Sequence, residues 1–267
     1  MRQSTHASQG QTASQIAKDI SALLDRLHAV VVGPGLGRDS LMQDTAAIII
    51  SEVRKRQMPL VVDADGLFLV QNRPEVVQGY ASAVLTPNVM EFKRLCDKMG
   101  VDPEKVEGGR DKVCAELARR LGGVTIVQKG RQDVISNGKD TMIVNIEGGL
   151  KRCGGQGDVL TGCLGTLLAW KKLYSEGVWK YLLHLPLLWD LSDIRHDNSL
   201  KDEEMTALAA FGACCTARYC SRQAFAKHKR AMQASDMVHE VGNAYQVLFE
   251  RYAYDSIGPN ESESPKL

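Results

Sequence analysis

Within its first 130 residues the chain sets four short apolar, β-branched runs among segments with helical spacing, and each run ends in a polar or glycine-rich tip. The runs are His28–Gly33, Pro59–Asp63, Ala83–Thr86 and Val124–Gln128. Apolar runs this short and continuous read as strands buried on both faces. Strands alternating with helices build a parallel sheet with a helical layer on each side. Helices are expected at Ile16–Leu27, from Asp39 or Ser40 to Val53, in a short piece reaching Val70, at Val89–Met99 and at Asp111–Leu121. Asn88 with Glu91 three residues on is a capping-box pair for the fourth of these. Asn137-Gly138, between Asp133–Ser136 and Thr141–Ile146, predicts a β-hairpin. The expected class is therefore α/β, three layers deep, with a mostly parallel sheet.

Ligands of such sheets bind beyond the carboxyl ends of the strands. The tips expected there are Gly33–Asp39, Asp63–Gly66, Thr86–Glu91, Lys129–Asp133 and Gly154–Asp158. The last is the most unusual. Gly154, Gly155 and Gly157 crowd into four positions, Asp158 follows at once, and an apolar helix continues to about Lys172. A glycine-rich turn opening a helix offers free N–H groups and the positive end of the helix dipole, which suits a phosphate. Asp158 either caps that helix or takes a proton from a hydroxyl about to be phosphorylated.

The other tips allow two readings each. Gly33-Pro34-Gly35-Leu36-Gly37 fails the dinucleotide fingerprint, because Arg38 stands where the third glycine belongs. It is a strand-to-helix turn or a loop lying flat against a ligand, and spacing does not separate the two. No P-loop motif is present. Asp65 reads as a cap for the helix after it, and Asp63 stays open between capping and facing a cation or ligand. Lys129 is a solvated strand end or a partner for nucleotide phosphates. The six histidines share no metal-ligand spacing, and no metal site is expected from the protein's own residues.

A net charge of +1 gives no basic field for nucleic acid. No apolar run reaches the length of a membrane span. The seven cysteines form no matched CxxC pairs and read as small core residues in a reducing compartment. The expected location is the cytoplasm, with a mitochondrial form open to other transcripts. Residues 1–26 are rich in Ser, Gln and Thr and stand apart from the domain expected over 27–253. Within that domain 173–204 fits no clean element. Two long helices follow, at Met205–Lys229 and at Asp236–Tyr252 with Ser235 as N-cap. The tail 254–267 is polar and expected to be disordered.

Five segments occurring in order carry a family resemblance. They are Gly33-Pro-Gly-Leu-Gly-Arg38, Val62-Asp-Ala-Asp-Gly-Leu67, Leu85-Thr-Pro-Asn88 with Glu91-Phe92, Val127-Gln-Lys-Gly130 and Cys153-Gly-Gly-Gln-Gly-Asp158. Together they resemble the ATP-dependent (S)-NAD(P)H-hydrate dehydratases, metabolite-repair enzymes of the ribokinase-like superfamily. The resemblance runs from about Leu27 to Trp170 and resumes in Ala209–Cys220 and Ser235–Phe249. It implies a ribokinase-like fold and the conversion of the damaged S-hydrates NADHX and NADPHX back to NADH and NADPH, with ATP consumed. Asp158 would be the base at the ring hydroxyl. Gly35, Gly37 and the stretch Asn88, Val89, Met90, Glu91, Phe92, Lys93 and Arg94 would join Asp158 in contacting the hydrate. ATP would meet Lys129, Gly130, Arg131, Gln132 and Asp133. It would also meet Gly148, Gly149, Leu150, Lys151, Arg152, Cys153, Gly154, Gly155, Gln156 and Gly157. Magnesium would accompany the nucleotide, and the chain is compatible with a homo-oligomer.

Two departures from the family pattern set further expectations. Members carry an earlier βα region with a Tyr-Thr-Gly-Ala-Pro-like segment, which residues 1–26 do not resemble, and a short loop in place of 173–204. The chain is therefore expected to lack part of the N-terminal sheet and to have reduced or absent activity. The alternatives to the dehydratase are a small-molecule kinase of the same superfamily and an inactive nucleotide-binding truncated form.

Overall fold

A computed structural model describes residues 11–178 and 200–250. Its sheet has six strands in the order of the chain: β1 (Val30–Val32), β2 (Leu60–Val62), β3 (Ala83–Leu85), β4 (Thr125–Gln128), β5 (Asp133–Ser136) and β6 (Thr141–Val144). The first four are parallel, with Val30 opposite Leu60, Leu60 opposite Ala83 and Leu85 opposite Ile126. β5 and β6 fold back antiparallel through the Asn137-Gly138 turn. The parallel strands stop after three or four residues because each meets a glycine, proline or polar tip.

Helices α1 (Ala13–Leu24), α2 (Ser40–Lys55), α3 (Asp65–Asn72), α4 (Val89–Met99) and α5 (Arg110–Arg120) surround these strands. Their ends follow local chemistry. The Asp39 carboxylate accepts the Met42 N–H at 3.0 Å and starts α2. Gly100, left-handed at φ 67°, closes α4. Thr12 and Gln15 form a capping box that starts α1 earlier than the apolar spacing alone suggests. α1 packs against α2 and buries Ala17 and Leu24, so part of the atypical N-terminal segment belongs to the fold.

Ile50, Val53, Leu60, Leu67, Leu95 and Ile126 centre the core of these elements. All seven cysteines are free, and five are buried. Burial pushes the Cys96 and Cys114 thiols up to about 12, so both stay neutral and behave as small apolar side chains.

α6 (Gln156–Ser175) and α7 (Asp202–His228) are the long helices. The described residues form two compact units. The first takes those up to Asn145 and those from Thr161 to Cys214. The second takes Ile146–Leu160 and those from Cys215 onward. In the second unit the expected helix Asp236–Tyr252 is broken. Ala234–Val238 and Val241–Tyr245 are separate short helices, and Gln246–Glu250 adopts π-helical turns. The cap is Gln233, not Ser235: its N–H donates to the Asp236 carboxylate at 2.7 Å. Most of the irregular stretch expected at 173–204, and the tail 254–267, lie outside the described residues.

Candidate active site

The carboxyl end of β2 is a tightly constrained stretch of backbone. Asp63 ends the strand, Ala64 follows and Asp65 opens α3. Ala64 sits at φ 48°, ψ −120°, a region that residues with a side chain rarely enter. Such a conformation costs about 1–3 kcal/mol and persists only where its surroundings impose it. Here the surroundings are the end of β1. The Asp63 N–H donates to the Val32 carbonyl at 3.1 Å, and the Gly66 N–H donates to the Asp63 carbonyl at 2.9 Å. A Cβ on Gly33 would stand 1.7 Å from the Asp63 carbonyl oxygen, and one on Gly66 would stand 2.6 Å from the Val32 oxygen. Two backbones touch at this point, so both positions require glycine.

The strained turn sends its two carboxylates to different tasks. Asp65 does not cap α3; no side chain does. Its carboxylate instead accepts the Gly37 N–H at 3.1 Å and the Arg38 Nε–H at 2.8 Å. The Arg38 guanidinium also lies over the Phe68 ring, 4.9 Å from its centroid. From α2, Gln43 donates to the Gly37 carbonyl at 2.6 Å. The loop holding Gly35 and Gly37 is thus fixed from two sides. Capping was the expected role for Asp65 because an acid at a helix start usually serves its own N–H groups. The strained Ala64 turns it back toward the neighbouring strand.

Asp63 is 3% exposed and pairs with the Lys129 ammonium at 2.8 Å, reaching from the end of β2 to the end of β4. The Lys129 N–H donates to the Pro87 carbonyl at 2.9 Å, which ties the end of β3 into the same network. A buried carboxylate with one cationic partner is strongly destabilised when that partner is removed. Lys129 is therefore neither a solvated strand end nor an unengaged cation. Gly130 donates its N–H to the Asp133 carboxylate at 3.0 Å, while Arg131 and Gln132 are exposed.

Asn88 and Glu91 cap α4 reciprocally, as the sequence suggests. The Asn88 Oδ1 accepts the N–H groups of Met90 and Glu91, and Glu91 accepts the Asn88 N–H at 2.8 Å. The cap leaves Val89 and Met90 each 57% exposed. Phe92 lies in the core, Lys93 pairs with Asp97, and Arg94 is exposed.

The second unit holds the other glycine stretch. Gly149 donates to the Ser221 hydroxyl at 3.2 Å and has no room for a Cβ, which would lie 2.4 Å from the Ser221 carbonyl. Lys151 donates to the carbonyls of Arg230 and Met232 at 2.6 and 2.7 Å, so its ammonium is engaged by backbone. Gln156 donates back to the Lys151 carbonyl at 3.0 Å. Gly155 is left-handed at φ 89°, and its added Cβ would meet Ala234 at 2.8 Å. Gly154 differs: nothing lies within 4 Å of a Cβ built there, and the residue is exposed. Gly148 and Gly157 are half-buried, as is Cys153, whereas Leu150 and Arg152 are exposed. Asp158, also exposed, is the third residue of α6, inside the turn where the helix dipole is positive. Among the described residues no group of three His, Cys, Asp or Glu side chains could hold a metal.

The first unit thus brings together Gly37, Asp63, Asp65, Lys129 and, through Pro87, the start of α4. Gly148–Asp158 belong to the second. Sequence reasoning missed the strained Ala64 and the roles of Arg38 and Gln43. The alternation Asp-x-Asp-Gly at a strand end was the available signal, but it does not reveal a backbone angle.

The family model described as NAD(P)H-hydrate dehydratase matches residues 3–243. The chain is 46% identical over 267 residues to the ATP-dependent (S)-NAD(P)H-hydrate dehydratase of Phaeosphaeria nodorum, covering 100% of this chain and 74% of that one. Against the protein of the same name from Mycosarcoma maydis it is 48% identical, covering 88% and 65%. The chain therefore spans about two thirds to three quarters of these relatives' lengths. A ribokinase-like superfamily protein from Enterococcus faecalis superposes with a TM-score of 0.61 at 17% identity, covering 87% of this chain and 68% of that one, which shows the fold. With the glycine loops, the Asp63–Lys129 pair and the capped α4 on the strand ends, and with a family match across 3–243, the chain belongs to the NAD(P)H-hydrate dehydratase family.

Proposed function

We propose that the chain uses ATP to dehydrate the S-form of NADHX or NADPHX, restoring NADH or NADPH and releasing ADP and phosphate. The observation that carries this reading is the acid at the third position of α6, directly behind a glycine turn whose Gly154 leaves open space at its Cα. Asp158 would accept the proton of the ring hydroxyl as its oxygen attacks the γ-phosphorus of ATP. The N–H groups of Gly154, Gly155 and Gly157 would hold the transferring phosphoryl group. The C–O bond of the resulting ester then breaks, the electron pair leaves with phosphate, and a proton lost from the neighbouring ring carbon restores the double bond.

In the first unit, Gly35, Gly37 and the residues of Asn88–Arg94 other than the buried Phe92 would contact the hydrate, with Val89 and Met90 offering apolar surface. Lys129–Asp133 and Gly148–Gly157 would contact ATP. Magnesium would travel with the nucleotide, held mainly by phosphate oxygens and water. No described helix is long and apolar enough to cross a membrane. The free cysteines fit a reducing compartment such as the cytoplasm.

The test is recovery of NADH absorbance from the S-hydrate with ATP and magnesium. Wild type should turn over, and Asp158→Asn should lose at least about a hundredfold in kcat. A variant at the wild-type rate would remove Asp158 from the mechanism. A wild type that binds ATP without turnover would mark the chain as a nucleotide-binding form only.

A further inference from the structure

We infer that Asp65 is a positioning residue for the hydrate: through Gly37 and Arg38 it holds the Gly33–Gly37 loop in the shape that receives the nicotinamide nucleotide. The inference rests on the proposed function and adds to it a residue that touches neither ATP nor the reacting atoms.

The geometry is specific. One Asp65 oxygen takes the Gly37 N–H at 3.1 Å, and the other takes the Arg38 Nε–H at 2.8 Å. A bidentate carboxylate of this kind fixes both the height of the loop and the direction of the guanidinium. Arg38 is further held over Phe68, on the same helix that Asp65 opens. Gly35 and Gly37 are left-handed, at φ 69° and 82°, and no atom lies within 4 Å of a Cβ built at Gly35. The loop is therefore glycine-rich at an open surface and depends on outside bonds for its shape. Gln43 holds the Gly37 carbonyl and Asp65 holds the Gly37 N–H, so the peptide groups before and after Gly37 are both fixed.

Asp65 is aimed there only because Ala64 adopts its strained turn. A helix-capping acid would need no such strain. Strain that redirects a side chain toward a ligand loop is a signature of a functional site. Asp65 makes its bonds to the glycine loop proposed for the hydrate, so its loss should weaken that substrate more than ATP.

The test is steady-state kinetics of Asp65→Ala, Asp65→Asn and wild type, with the S-hydrate and ATP varied separately. For Asp65→Ala the expected result is a rise of about tenfold or more in the hydrate KM, as befits losing charge-assisted hydrogen bonds. The ATP KM should stay unchanged and kcat should stay within about threefold, as for an interaction that serves binding rather than the chemical step. Asp65→Asn keeps an acceptor for Gly37 and should recover part of the loss. Amide exchange over 33–40 should quicken in Asp65→Ala, without a matching change at β3 and β4. Equal rises in both KM values, or an unmoved hydrate KM in an active variant, would overturn the inference and leave the dehydratase reading standing. A wild type that neither turns over nor binds the hydrate would overturn both.

Discussion

The molecule carries two glycine loops, and they need glycine for different reasons. At Gly33 the need is steric. The backbone of one strand end lies against that of the next, and an added Cβ would sit 1.7 Å from a carbonyl oxygen. At Gly154 nothing is near; the position is exposed and its backbone is not left-handed. The first loop is bound by named side chains, Asp65 and Gln43, which fix its shape. The second is shaped from behind, by Gly149 on Ser221, Lys151 on two carbonyls and Gly155 against Ala234. Crowding makes Gly33 a requirement of the fold, whereas neither crowding nor a left-handed backbone requires glycine at Gly154.

The strongest way to break this contrast is Gly33→Ala. The methyl group cannot be placed without separating the ends of β1 and β2, and φ 129° is unfavourable for alanine in any case. A loss of about 3 kcal/mol or more is expected, a drop of roughly 6–12 °C in Tm for a chain of this size. Differential scanning calorimetry measures it. A Tm within 1–2 °C of wild type, about what 0.5 kcal/mol would give, would mean that the two strand ends do not touch.

Gly154→Ala should do the reverse. With open space and an ordinary backbone, alanine should change stability by no more than about 0.5 kcal/mol. Turnover of the hydrate should still fall about tenfold or more if the proposed site is right, because a methyl group would then stand where the phosphoryl group reaches the backbone N–H groups. If stability fell and turnover held, Gly154 would be a packing glycine like Gly33, and the contrast between the loops would disappear.

Sequence patterns disclosed these loops unequally. Apolar runs and their tips marked the strands: β2, β3 and β4 are buried throughout and have no exposed positions to blur the pattern, whereas β1, read the same way, is an edge strand with Val31 39% exposed. Asn88 and Glu91 announced their capping box, since that motif is local. The partnership of Asp63 with Lys129 was not legible. It spans 66 residues and depends on β2 and β4 flanking β3, which no local window contains. Asp65 was misread for a related reason. Its local context favours a cap, and only the strain at Ala64 overrides that preference. The helix expected over Asp236–Tyr252 was misread because Met237, Val241, Ala244 and Leu248 keep helical spacing across the break, and Glu240, at that break, is held by Lys227 from another helix.

That ion pair gives the smallest and most specific test of how the second loop is braced. Glu240 is 5% exposed and accepts from the Lys227 ammonium at 2.6 Å, joining the end of α7 to the short helices beside Ala234. The Lys227 hydrogen bond, the largest influence, holds the Glu240 carboxyl below its usual range against the opposing effect of burial. A carboxyl with a lowered folded-state pKa contributes stability that is fully present above its unfolded pKa, near 4.5, and is lost as pH falls through the lowered value. Because the Lys227 side chain is 60% exposed, solvent screens the pair and limits it to about 0.5–1 kcal/mol. Lys227→Met should therefore lower Tm by 1–4 °C at pH 7, as expected for a loss of about 0.5–1 kcal/mol, with the two proteins converging toward pH 3. The Gly33 loop has no part in this pair, so amide exchange over 33–40 should not change with the substitution. Exchange over 148–156 should quicken, because the elements backing Lys151 and Gly155 have loosened. If both loops responded alike, the two would share one cooperative unit, and the separate bracing drawn between them would be wrong.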